Sequence, residues 1–456
     1  METYSRKTPV WNRFNKTQQK ECHKYAEEYK KFLDAARTER LANKEIIRQA
    51  KAAGYRPLSS FSELHTGDKV YLDHKGKAVI MAVIGRDDMR QGLKLIGSHI
   101  DSPRLDLKAN PLDEKDGLVF LRTHYYGGIK KYQWVCMPLA LVGVIAKTDG
   151  SLVNVEMGLD AADPVLYITD ILPHLGQTQA QKKLNEAITG EMLLPVIGGH
   201  GDGKKSAKEM VLKIFGDKYG ITEEDFASAE LEVIPAQCAR DVGIDRAFVM
   251  AHGQDDRVCS YGNLAAILAA KPSTKTQVAL FTDKEEIGSY GNTGVNSSYV
   301  TDFIMDLLEL QGDGSHRALR DTLRHTEILS ADVTASFDPT FADVMEKNNS
   351  SLTGFGIVLT KYTGARGKSG SNDANAEFLG KVRSIFNENN VPWQIGELGK
   401  VDQGGGGTIA LYLAAWGCEV VDCGVTMLSM HAPLELVEKT DAYCAYLAYK
   451  AFFESN

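Results

Sequence analysis

Apolar positions between residues 16 and 54 fall at Tyr25, Tyr29, Phe32, Leu33 and Ala36, in a background of Lys, Glu, Gln and Ala. Spacings of three and four predict one or two amphipathic helices, closed by Gly54 and Pro57. The pattern then shortens to apolar runs at 69–72, 78–84 and 93–98, which read as strands. The last run ends in the polar cluster His99-Ile100-Asp101. From 103 to 249, short apolar runs (118–121, 134–137, 140–146, 165–168) alternate with turn residues, the pattern of an antiparallel β-rich unit. Within it, 200–205 is a Gly/Lys/Asp-rich loop and Thr222 opens a short helix. Beyond 249, strand and helix patterns alternate. We expect a helix at 258–270, strands at 277–282 and 328–332, a helix at 374–390 and a strand at 393–395. A glycine turn at 404–407 then leads into a helix at 408–417, followed by a strand at 419–423 and a closing helix at 436–453. Such alternation predicts an α/β fold, with a mostly parallel sheet covered by helices on both faces. The expected organisation is a discontinuous catalytic domain, 1–102 and 250–456, interrupted by an inserted β-rich domain at 103–249.

Composition narrows the function. The chain has 456 residues, 43% hydrophobic and 25% charged, with a formal net charge of −8. An acidic balance argues against a nucleic-acid or anionic-membrane binder, since both need a basic surface. No apolar run approaches the roughly 18 residues of a membrane span. Residues 1–20 are polar, with no signal-peptide core. Seven cysteines without a CxxC pair suit a reducing compartment. The expectation is a cytoplasmic enzyme.

Ligands of open α/β sheets bind beyond the carboxyl ends of the strands. Five separate segments place His, Asp or Glu at such positions or at the start of a helix: His99 and Asp101; Asp255 and Asp256; Glu285 and Glu286; Asp332; His431. A lone strand-end Asp is usually a turn or helix cap. Five segments converging on one edge are different, because like charges in one cleft repel unless cations balance them. Two divalent ions held by imidazole and carboxylate would do so.

The strings GSHIDSPR (97–104), GQDDRV (253–258), DKEEIGSYG (283–291), SADVT (330–334) and MHAP (430–433) occur in this order, with YGG at 126–128 and PHL at 173–175. Together they resemble the metallo-aminopeptidase family that contains aspartyl aminopeptidase and aminopeptidase I. The resemblance implies metal ligation by His99, Asp255, Glu286, Asp332 and His431, with Asp255 bridging two ions and followed by a cis peptide. It implies that Asp101 orients the ligand shell and that Glu285 is the general base, taking a proton from the attacking water. Zinc is the expected metal, with cobalt or manganese as alternatives. His252 reads as an ordinary loop histidine. The glycines at 404–407 lack the lysine of a phosphate loop and read as a close-approach turn in the pocket wall. The resemblance also implies an insert used for dimerisation and a closed homo-oligomer, commonly a dodecamer, admitting short peptides. His124 and His174 of the insert read as structural, although relatives sometimes reach into a neighbour's site from this domain.

Departures from the family pattern concern specificity. Ala335 and Asp338 stand where histidines are usual, and the following basic segment is altered to Lys361, Arg366 and Lys368. A site selecting N-terminal Asp or Glu needs a positive partner. Acidic and neutral preferences therefore stay equally open. The competing readings are a related metal-dependent carboxypeptidase or deacylase and, from another class, a non-catalytic oligomeric scaffold.

Overall fold

The computed structural model describes residues 2–455. Its largest sheet has nine strands, in the order Arg56–Pro57, Lys69–His74, Ala78–Val83, Gln277–Thr282, Lys94–His99, Glu327–Ser330, Glu419–Gly424, Ile357–Thr360 and Trp393–Ile395. The four strands from Gln277–Thr282 to Glu419–Gly424 are parallel. Five of the eight junctions are parallel, in line with the mostly parallel sheet the pattern suggested, and three antiparallel ones flank the parallel centre. Part of the reason is local: three residues join Lys69–His74 to Ala78–Val83, and so short a link allows only antiparallel pairing.

The strand Ala78–Val83 is buried along its whole length, as expected for a sheet covered on both faces. Val79, Met81 and Val83 enter one core, with residues of the helices Lys16–Ala35, Glu39–Ala52, Gln254–Ala269, Ala376–Glu388 and Lys439–Glu454. Ala78, Ile80 and Ala82 enter the other, with Tyr299–Leu310, His316–Arg324 and Ala410–Ala414. Local chemistry sets several helix ends. Asn15 and Gln18 form a reciprocal capping box at the start of Lys16–Ala35. The closing helix begins at Lys439, later than its apolar pattern suggested, because Glu435–Glu438 is a strand whose last side chain caps the helix. The helix after the glycine turn is only Ala410–Ala414.

A second sheet of seven strands lies wholly within residues 104–235, and all its pairings are antiparallel. Ala229–Pro235 pairs with both Arg104–Lys115 and Pro138–Ala146, so the sheet closes on itself. It has its own core, including Trp134, Leu141, Phe215 and Phe226. A third sheet of five strands joins Phe248–Ala251, Glu435–Glu438 and Thr426–Leu428. No described helix is long and apolar enough to cross a membrane.

Phe281, fully buried on the central strand Gln277–Thr282, tests this core. Phe281→Ala is expected to cost about 3–5 kcal/mol, read from the urea unfolding midpoint. A loss below about 1 kcal/mol would show that this position is not packed as described.

Candidate metal centre

Parallel strands that end together deliver their next residues to one edge. The register sets Thr282 opposite His99 and Ser330 opposite Gly97, which brings His99, the Glu285-Glu286 turn and Asp332 together. Asp255 arrives from the start of the helix Gln254–Ala269. That helix is tied to the strand Lys94–His99 by Ser260 Oγ to the His99 carbonyl (2.8 Å) and Asn263 Nδ2 to the Ile96 carbonyl (3.0 Å). Its dihedrals are non-helical at Asp255 and Asp256, and the peptide between them is cis. His431 sits in the turn before Glu435–Glu438, with a left-handed φ of 63°. Because Ala251 pairs with Glu435, this turn lies beside the start of the helix. Glu435 links the two, accepting from the backbone N–H of Asp255 (3.0 Å) and of His431 (2.8 Å).

Asp255 stands between two imidazoles. Its Oδ1 is 3.2 Å from His99 Nε2, and its Oδ2 is 3.2 Å from His431 Nε2. Glu286 Oε2 lies 3.4 Å from His431 Nε2, while Asp332 Oδ1 and Glu285 Oε2 lie 3.8 and 3.9 Å from His99 Nε2. Two overlapping sets of ligand atoms result, His99 with Glu285 and Asp332, and His99 with Asp255 and Glu286, each within 4.8 Å. The opposite ring nitrogens are engaged: His99 Nδ1 with Asp101 Oδ1 (3.2 Å) and His431 Nδ1 with the Gly128 carbonyl (2.8 Å). A proton held on Nδ1 leaves Nε2 free to face the cavity. Glu286 Oε1 is buried without a hydrogen-bond partner. Two imidazoles and four carboxylates, one with an orphaned oxygen, fit a divalent zinc-type ion well.

Glu285 and Glu286 lie in the 3-10 turn Glu285–Ile287, entered through left-handed Lys284. They diverge, Glu285 toward His99 and Glu286 toward His431. Asp101 holds this turn, accepting from the backbone N–H of Glu285 (3.1 Å) and Glu286 (3.2 Å) and from the Tyr126 hydroxyl (2.8 Å). Asp256 Oδ2 accepts from the His99 N–H (3.2 Å). Tyr126 and Gly128 were visible in the sequence only as part of the YGG string. Nothing in the sequence distinguished Asp256 or Glu435 as supports.

Burial pushes Glu285 up to about 7, helped by Asp101 and Asp255 and opposed by His99. Burial likewise raises Glu286 and Asp332 well above the carboxylate range and Glu435 to about 8. Asp255 is the exception: burial would raise it, but its hydrogen bonds to His431 and His99 win and hold it low. Burial opposes charge on His431, yet Asp255 and Glu286 outweigh it and lift the imidazole to about 10.

The centre opens into a cavity of about 470 Å³ walled by Tyr362, Leu398, Thr408, Leu411, Tyr412 and Met430, with Gly405–407 along one side. Gly405 explains the glycines: its φ is +142°, and a Cβ there would meet Ala365 Cα at 2.5 Å. No described lining residue is Lys or Arg. Lys361 and Lys368 instead pair with Asp373, at 2.7 and 3.0 Å. Asp338 caps its own turn through the Thr340 N–H (2.8 Å), and Ala335 lies in a strand beside Thr426–Leu428. His252 is buried, with Nδ1 3.2 Å from the Pro433 carbonyl and its ring edge-on to Trp134. His124 and His174 are exposed and do not line the cavity.

A sheet edge carrying this donor set defines a candidate divalent-metal site. Residues 32–453 match the family described as Aminopeptidase I zinc metalloprotease (M18). The chain is 48% identical over 454 residues to the "Probable M18 family aminopeptidase 1" of Clostridium acetobutylicum, covering 98% of both chains. It superposes on the crystal structure of an M18 aminopeptidase from Thermotoga maritima with a TM-score of 0.95, 43% identity and coverage of 99% and 100%. The fold extends to the S. cerevisiae mApe1 dodecamer, at 20% identity, TM-score 0.76 and coverage of 94% and 96%. The chain belongs to the M18 family of zinc aminopeptidases.

Titration of the centre yields a stability test. Glu285, Glu435 and His431 have folded pKa values above their unfolded ones. Their contribution is complete below the unfolded pKa and is lost as pH rises through the folded value. Asp255, held low, acts in the opposite sense only below about pH 4. Chelator-treated protein should therefore lose thermal stability between about pH 5 and pH 10, and added zinc should restore most of it above about pH 7. Calorimetric midpoints that stay flat with pH, or do not respond to zinc, would contradict this electrostatic picture.

Proposed function

We propose that this enzyme removes the first residue of peptides at a two-ion centre. The observation that carries the reading is Asp255, whose two oxygens each lie 3.2 Å from a different imidazole Nε2. His99 and Asp332 would hold one ion, His431 and Glu286 the other, and Asp255 both. Two bound divalent ions, zinc by default with cobalt or manganese as substitutes, would polarise the scissile carbonyl and acidify water. Glu285 is the general base. It lines the cavity beside His99, placed to take a proton from the attacking water and deliver it to the leaving amine. Asp101 orients His99 through Nδ1 and pins the turn that carries Glu285.

The cavity favours a neutral or apolar first residue over an acidic one. Tyr362, Leu398, Leu411 and Met430 supply apolar wall, and Lys361 and Lys368 are engaged with Asp373. No Lys or Arg is among the described lining residues, and Arg366 and Lys368 border only the adjoining hollow that shares Tyr362, Thr363 and Leu398, so an acidic side chain would depend on reaching them. The same lack of a cation disfavours a carboxypeptidase, which must recognise the substrate's terminal carboxylate.

Residues 103–249 serve as a dimerisation domain of a cytoplasmic homo-oligomer built from dimers. Supporting this, Val165, Ile171, Leu172, Leu175 and Leu184 are exposed on it, and the yeast neighbour is a dodecamer.

Zinc-loaded Glu285→Gln should lose about 10²–10⁴-fold in kcat while retaining its metal. Leucyl and methionyl substrates should exceed aspartyl ones by at least about tenfold in kcat/KM, and N-acetylated peptides should not be cut. Full activity in the variant would remove Glu285 from its role. Preference for aspartyl substrates would overturn the neutral-pocket reading.

A further inference from the structure

The strand Arg104–Lys115 leaves the metal centre directly after His99-Ile100-Asp101, and Leu118–Tyr126 returns antiparallel to it with Tyr126 opposite Arg104. The hairpin thus hands residues 126–128 back to the place the chain left. The Arg104 guanidinium carbon lies 3.8 Å from the Tyr126 ring centroid and steadies the ring. From there the Tyr126 hydroxyl donates to Asp101 Oδ2 at 2.8 Å. Two residues on, the Gly128 carbonyl lies 2.8 Å from His431 Nδ1. Between them Gly127 adopts a φ of +75°, so close to Glu286 that a Cβ would sit 3.3 Å from its Oε2. A Cβ on Gly128 would sit 3.4 Å from His431 Nδ1.

We infer that Tyr126-Gly127-Gly128 is the outer brace of the metal centre, with Tyr126 and Gly128 as positioning residues. Tyr126 acts through Asp101, which holds both His99 Nδ1 and the backbone of Glu285 and Glu286. Gly128 acts directly on His431. One three-residue segment therefore steadies ligands of both ion positions, and it belongs to the closed seven-stranded unit and not to the main sheet. Seating of that unit against the main sheet thereby bears on how tightly ions are held. The inference rests on the two-ion reading above. It differs from a simple packing role because Tyr126→Phe keeps the ring and its stacking on Arg104 and removes a single hydrogen bond.

The test uses full-length protein loaded with cobalt(II), comparing wild type, Tyr126→Phe, Gly127→Ala and, as a control, Tyr125→Phe. The readouts are cobalt retention against a competing chelator, the visible cobalt absorption band, the melting temperature, and kcat and KM separately. Tyr126→Phe is expected to keep the fold and lose about 10–100-fold in cobalt affinity. Its absorption band should shift, and kcat should fall with little change in KM. Gly127→Ala, strained at a φ of +75° and crowding Glu286 Oε2, should displace the segment and act in the same direction, and Tyr125→Phe should match wild type. Wild-type affinity and spectrum in Tyr126→Phe would overturn the brace while leaving the two-ion centre standing. A wild type that binds no cobalt would overturn the centre and the brace together. Should Tyr126→Phe fail to fold, Gly127→Ala decides by the same two readouts.

Discussion

Four buried or half-buried carboxylates, those of Asp255, Glu285, Glu286 and Asp332, surround two imidazoles in a space a few ångströms across. Mutual repulsion and desolvation would drive such a cluster apart unless cations balanced it and rigid structure held it. Much of the surrounding structure answers that constraint. The parallel centre of the nine-stranded sheet supplies an edge that cannot splay. Glu435 ties the turn of His431 to the start of the Asp255 helix, and Asp101 fastens the Glu285-Glu286 turn to His99. These supports are themselves acidic. Neutral backbone N–H groups satisfy them in large part, so holding the ligands in place does not require further cations.

The same arrangement explains why the site draws on segments from His99 to His431. A metal site needs ligands from several directions, and a single strand or helix presents side chains in only one or two. Strand ends, a helix start and two turns together supply the missing directions. The closed sheet of residues 104–235 adds another through the loop that follows Tyr126, so the unit that reads as an oligomerisation module also touches the chemistry. Specificity is handled apart from reactivity. The cavity wall beyond the cluster mixes apolar residues, threonines and glycines, none of them contributing to the His and carboxylate cluster, so the wall can vary while the cluster stays constant.

Much of this was legible in the chain. Alternation of strand and helix patterns marked the α/β core, the turn-rich stretch after Pro103 marked the second sheet, and strand-end His, Asp and Glu marked the residues that meet. Other features were not legible. The antiparallel junctions of the main sheet depend on which strands become neighbours, and apolar pattern does not encode neighbours. The closing helix began later than expected because Leu436 and Val437 suit a buried strand as well as a helix, and pairing with Phe248–Ala251 decided for the strand. The turn at Glu285 is a 3-10 turn because Lys284 takes a left-handed conformation, which its identity does not announce.

The sequence by itself determined the chemical inventory and its order: imidazoles and carboxylates at the ends of apolar runs, an overall acidic charge, and motifs shared with a zinc aminopeptidase family. Tertiary structure alone decided which groups face one another in the cluster and which support it. Asp255 and Asp256 are neighbours of identical chemistry, yet one lies between two imidazoles and the other accepts the His99 N–H. Position relative to other segments set that difference. Distance and direction between residues far apart in sequence arise only when the sheet register and the packed helices fix them.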